Sequence, residues 1–301
     1  RILTMGSFAG HVIPGLCMAL LSYFYAFAFI KREVSKPTQS GNEVADIELR
    51  ALPTANGRVT LSSMPSHGLD EIFLGHQRAL ILIILATAAG CIVEWPHLTA
   101  VSAGWETGIT HMSLYSGYII WGVVCLAQKR KTLPELSATC TFALLHLLVA
   151  MGWASHAEMK QDSEAHVHYL LASICYLISA AAVGSLVSDR LPDLGRASSF
   201  VAFASAFVHG TWLISIGQMF YSWRRPADPS GFKVEHYQIV RAFHINVYVV
   251  LIILAMTYVA LKRQHDAAGH MYMPIVPTSA HSQETEKTRR LSRNTSSRSS
   301  S

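Results

Sequence analysis

Charge is what this 301-residue chain has least of: Asp, Glu, Lys and Arg make up 14% of it, against about 25% in an ordinary soluble domain. That scarcity excludes a well-solvated globular protein and a wholly disordered one. Cysteines are few and solitary: Cys17, Cys91, Cys125, Cys140 and Cys175 lie singly inside apolar runs with no C-x-x-C spacing. They read as small buried hydrophobes, which excludes a disulfide scaffold. No phosphate-cradling glycine loop, no G-x-S-x-G elbow and no period of 20–50 residues occurs. The net charge of +5 does not call for nucleic acid, because basic residues also flank membrane spans, and no nucleic-acid partner is expected.

What is present is apolar length. Half the residues (51%) are hydrophobic, and they gather in seven blocks, about 11–30, 74–93, 109–127, 137–154, 166–187, 198–221 and 240–261. Each approaches the ~20 residues that cross a bilayer as a helix, and each is apolar on all faces instead of alternating. The expected fold is therefore all-α, a seven-transmembrane-helix bundle over 1–265 in a lipid bilayer. The first block is too long for a signal-peptide core and reads as a retained span; Arg1 to Thr4, ahead of Met5, read as upstream sequence. Segments 31–73 and 266–301 are expected to be a disordered polar loop and tail, the loop mobile over 37–70 and both open to protein partners.

Basic residues set the orientation. Loops 31–73, 128–136 and 188–197 and the start of the tail hold twelve Lys and Arg, the opposite side five. The N-terminus is predicted outside, lumenal or extracellular, and the C-terminus cytosolic, in an endomembrane or the plasma membrane. In the tail, Arg289-Arg290-Leu291-Ser292 suits a basophilic kinase at Ser292, whereas the sequon at Asn294 would face the cytosol and stay unmodified. Glu71, His76 and Arg78 read as interfacial anchors. Pro14 reads as a first-turn proline.

The chain holds fifteen histidines. On the predicted topology most of those in spans lie toward the outer face: His11, His111, His156, His166, His168 and His244, with Glu94, Glu106, Glu158 and Glu164 close by. Buried imidazole and carboxylate are costly in lipid unless paired, and together they suit Zn²⁺ or another transition metal. The expected ligands are Glu94, His111, His156, His166, His168 and His244, followed by His11, Glu158, Glu164 and His209. A metal-free polar network is the equal alternative. On a helix His166 and His168 point about 200° apart, so one would face inward and one outward. His146 and His209 lie near mid-membrane, but without the paired spacing that two haems require, so haem is disfavoured.

The motifs Gly10-His11-Val12-Ile13-Pro14-Gly15, Gly90-Cys91-Ile92-Val93-Glu94, His111-Met112-Ser113-Leu114-Tyr115 and Gly210-Thr211-Trp212 with Ile216-Gly217 follow in order. They resemble the transmembrane protein 45 family over roughly Met5 to Lys262. Glu158 and Glu164 stand where that family carries His and Asp, and His209 where it carries Gln. The resemblance implies a seven-span endomembrane-associated protein of undefined biochemical role and supplies no reaction. Three functions stay open: a bundle with a metal or proton-sensitive polar core, a metal-dependent membrane hydrolase acting on a lipid with Glu94 or Glu158 moving the proton, and a non-catalytic adaptor or trafficking protein. Transport ranks below these, because polar residues do not run the full depth.

Overall fold

A computed structural model describes residues 8–36, 68–99, 105–158, 160, 162–187, 190–221 and 235–271. Of these, the side chains of 8–10, 68, 93–99, 105–111, 114, 162, 221 and 269–271 lie outside the description. Every regular element among the described residues is an α-helix: α1 (Phe8–Val34), α2 (Gly68–Gly75), α3 (Gln77–Thr99), α4 (Trp105–Lys129), α5 (Ser137–Glu158), α6 (Asp162–Ser185), α7 (Pro192–Tyr221) and α8 (His236–Met271). Each long helix grows from one of the apolar blocks, as a chain in lipid must satisfy its backbone hydrogen bonds within each segment. Large apolar side chains cover much of the outside, among them Leu20, Leu82, Leu85, Ile92, Leu148 and Met256. Such a surface suits hydrocarbon and would be a liability in water.

Among the described residues, five helical stretches are long and apolar enough to cross a membrane: His11–Val34, Ser137–Glu158, Ser163–Ser185, Pro192–Phe220 and His236–Ala268. A sixth is added if Leu69–Gly75 and Gln77–Ile92, bent by 81° from one another, count as one crossing. The chain is thus a multi-pass all-α membrane protein with five or six such candidates where seven spans were expected. Block 109–127 lies on α4, and because the side chains of 105–111 and 114 are outside the described residues, the described part of that helix is too short to test it as a crossing. The second block, expected to start at 74, begins instead at the end of α2, and the helix breaks at His76. The expected loop also loses its last residues to α2, and α8 runs past the expected start of the tail to Met271. The rest of the loop and tail, with Ser292, lies outside the described residues.

The chain divides into Arg1–Val259 and Ala260–Ser301. In the first unit, α1 packs along α7, α7 on α6, α6 on α5, α5 on α4 and α4 on α3, while the short α2 touches α1 and α3 to α7. Small residues allow the closest approach. A Cβ at Gly15 would lie 2.8 Å from the Gly210 carbonyl oxygen, and one at Gly210 would run into the backbone of Ala19. Pro14 lies inside α1, not in its first turn, so the helical bond to the Gly10 carbonyl is not made. In the second unit the described residues are the end of α8, where Lys262 Nζ meets Asp266 Oδ1 at 2.7 Å.

One end of the bundle is tied by α2. Asp70, placed by sequence in a mobile loop, is buried, and its carboxylate accepts four hydrogen bonds. Oδ2 takes Gln128 Nε2 at 2.5 Å and Leu136 N at 2.8 Å; Oδ1 takes Thr139 N at 3.0 Å and the Thr139 hydroxyl. Gln128 Oε1 in turn accepts from Ala138 N at 2.6 Å. A carboxylate from α2 thereby caps the first turn of α5 and holds Leu136 at φ 69°, a left-handed conformation that leucine rarely adopts. Arg32 and Glu71, 2.7 Å apart and half-exposed, add a second tie between α1 and α2. At that exposure the pair contributes about 0–1 kcal/mol, so the buried cap dominates.

Candidate functional site

The elements that position a site are the inward faces of α1, α3, α4, α5 and α7, which enclose a cavity of about 190 Å³. None of its lining residues is Asp, Glu, Lys or Arg. Its floor is the α2 side: Phe73 meets Trp121 edge-on at 4.9 Å and packs on Phe142 at 5.1 Å, Tyr25 at 5.4 Å and Phe203 at 5.8 Å. Asp70 therefore positions this floor from one turn away. Aromatic pairs at these distances add about 0.5–1.5 kcal/mol each beyond their buried area.

Polar groups in the wall are few. His146 Nδ1 donates to the Phe142 carbonyl oxygen at 2.9 Å, leaving Nε2 of the neutral ring to accept from the Tyr118 hydroxyl at 3.2 Å. The phenol oxygen keeps lone pairs for a further donor. His209 lies with both ring nitrogens 3.8 Å from Cys175 Sγ, a weak contact for a fully buried imidazole. Tyr25 Oη, Trp121 Nε1 and Trp153 Nε1 belong to cavity-lining residues at least 96% buried, and have no hydrogen-bond partner among the described residues. A buried donor left so costs about 1–3 kcal/mol.

The expected histidine layer separates into pairs. His11, His156, His166 and His168 lie on the helix ends away from α2. His156 and His168 are buried with ring centres 4.8 Å apart, and Trp153 lies 5.4 Å from His168, between this pair and the cavity. His166, on the other face of α6, meets His236 at 3.9 Å. The 200° argument for the H-x-H spacing thus holds, and the two histidines serve different neighbours. His244 is exposed on α8 and Glu158 is exposed on α5. Glu164 pairs with Lys160 at 3.1 Å, an i,i+4 ion pair. His168 Nδ1 lies 2.6 Å from the Glu164 carbonyl oxygen.

No group of three or more His, Cys, Asp or Glu side chains placed to hold a metal occurs among the described residues. The side chains of Glu94, Glu106 and His111 lie outside them. His146 and His209, set aside with haem, belong instead to the cavity wall. Depth is readable from position in a span, whereas the facing of each helix is not, and a bundle apolar all round gives no moment to reveal it. Asp70 and the Tyr118–His146 pair escaped the sequence reading for that reason. The one available signal was Asp70 two residues after a glycine and just ahead of Ile72-Phe73-Leu74, a capping carboxylate before an apolar turn. Among known proteins, the chain matches no family model and no curated protein sequence.

Proposed function

We propose that this membrane protein binds a small, uncharged, mainly apolar molecule inside its helix bundle. The observation that carries the reading is the cavity: mainly apolar walls, no formal charge, and a few residues able to hydrogen-bond, the usual make-up of a ligand site. Its volume is of the order of a ~150 Å³ apolar cavity known to take up benzene. Seven crossings complete the reading, with α4 the seventh and Tyr118 and Tyr115 turned to the interior. Basic-residue asymmetry favours a cytosolic α2 end. Kinship with the transmembrane protein 45 family rests on the ordered motifs; the contact of Gly15 with Gly210 supports it by giving two of them a shared packing role.

Hexadecan-1-ol at a hundred times its Kd is expected to stabilise the detergent-solubilised protein by about 2.7 kcal/mol, read as a rise in unfolding temperature. Ala206→Phe, which projects a ring from the buried wall into the cavity, keeps the fold and abolishes the shift. An equal shift in this variant overturns the reading.

A metal centre is the second reading, favoured by one observation, the buried His156–His168 pair. Glu94 or His111 would have to supply the remaining ligands, since a structural Zn²⁺ takes four. Near-stoichiometric zinc should then survive dialysis and be lost in the joint variant His156→Ala with His168→Ala. Zinc-free protein whose stability is unchanged by added Zn²⁺ removes this reading and the metal-dependent hydrolase with it.

A further inference from the structure

We infer that the cavity is loaded sideways from the bilayer, through the seam between α1 and α3, and that its ligand is a neutral single-chain lipid bearing a hydroxyl or carbonyl oxygen. This inference rests on the cavity being a ligand site and adds the route and the class. Taken in turn, the other seams around the bundle are shut. Gly15 and Gly210 bring α1 and α7 into backbone contact. Between α3 and α4, a Cβ at Gly122 would lie 2.6 Å from Ile84 Cγ1, and one at Gly90 2.9 Å from the Tyr115 ring. Gly117 is covered by Leu145 between α4 and α5, the Ser179 hydroxyl donates to the Ala143 carbonyl oxygen at 2.8 Å between α5 and α6, and a Cβ at Gly184 would lie 2.6 Å from Ser198 Oγ between α6 and α7.

The α1–α3 seam differs. Near α2 it is closed by Phe24 against His76, ring centres 4.9 Å apart. Farther along, Ile13 from α1, 58% exposed, and the exposed Ala89 from α3 both line the cavity and reach the outer surface of the bundle. A lining residue that is also exposed marks a mouth, and this one sits on the sides of two membrane helices, not at a loop. The entering molecule is therefore dissolved in hydrocarbon. It is uncharged, because nothing in the wall offsets a charge and burying one unpaired is prohibitive. Hydrogen-bonding residues for its oxygen stand in the wall: Tyr25 and Trp121 at the floor, and the Tyr118–His146 pair one turn of α5 beyond Phe142. The cavity is too small for a two-chain lipid, so one chain enters while the remainder lies in the bilayer.

The test uses the full chain in phosphatidylcholine vesicles with two photoreactive diazirine probes, a hexadecan-1-ol dissolved in the lipid and a small benzyl alcohol added from water. Labelled peptides are mapped by mass spectrometry. Both probes are expected to label the cavity wall around Met18, Leu21 and Ala206. Ala89→Phe, at the mouth, should cut labelling by the long probe about tenfold and leave the small probe within twofold. Ile13→Ala, which widens the mouth, should raise the labelling rate of the long probe about threefold. Unchanged long-probe labelling in Ala89→Phe places the entry elsewhere and overturns the inference while leaving the cavity reading intact. Should Ala89→Phe lose both labels, Ile13→Ala decides, and an unchanged rate overturns the inference. If neither probe labels the wild-type wall, the cavity reading itself is overturned.

Discussion

Replacing Asp70 with alanine should cost about 3–5 kcal/mol and abolish ligand binding together with it. The carboxylate accepts from two backbone amides at the start of α5, from the Thr139 hydroxyl and from the Gln128 amide, all within the bundle. Alanine leaves these donors buried without an acceptor, at about 1–3 kcal/mol for each one left unpaired, less what relaxation recovers. It also releases Leu136 from its left-handed conformation, a strain of order 1–3 kcal/mol that the cap sustains. With α2 loosened, Phe73 no longer closes the cavity floor. Asp70→Asn, which retains one acceptor oxygen but sets an amide against the remaining donors, is expected to lose about half as much. Equilibrium unfolding of the detergent-solubilised chain measures both; a loss below ~1 kcal/mol in Asp70→Ala shows that the cap does not hold this end.

Gly210→Leu should be the other severe change. A Cβ there already meets the Ala19 backbone, which cannot swing aside as a side chain would, so α1 and α7 must separate. Overpacking of this kind costs about 3 kcal/mol or more. The half-exposed Gly152 on α5 provides the contrast: a Cβ there meets nothing within 4 Å, and Gly152→Leu should change stability by less than about 0.5 kcal/mol. Comparable losses in the two variants would mean that the α1–α7 contact is not close.

The helices themselves were legible because apolar length is a one-dimensional property. So was the helix end at which His11, His156, His166 and His168 each sit, since position along a helix is read directly from the chain. Facing is a rotation about the helix axis, and the chain gives little to read it from when every face is apolar. Hence the sequence could not tell that His244 and Glu158 are exposed or that Glu164 pairs with Lys160. The break at His76 had a signal in Gly75-His76-Gln77-Arg78, four residues poorly suited to a bilayer interior, but the apolar Ile72-Phe73-Leu74 before them reads as the same span. Only the burial of Phe73 in the aromatic floor shows that α2 closes the bundle instead of extending α3. The cavity was hidden for a more general reason: its wall takes residues from six helices, and no pattern along the chain records that they meet.

Counting bound lipid by native mass spectrometry tests the central claim most directly. Full-length protein released from detergent micelles containing hexadecan-1-ol should carry one molecule per chain, saturably, and Ala206→Phe should carry none. Adducts that grow without saturation, or that are equal in the two proteins, would show that the alcohol merely coats the apolar surface and that the cavity is not a binding site.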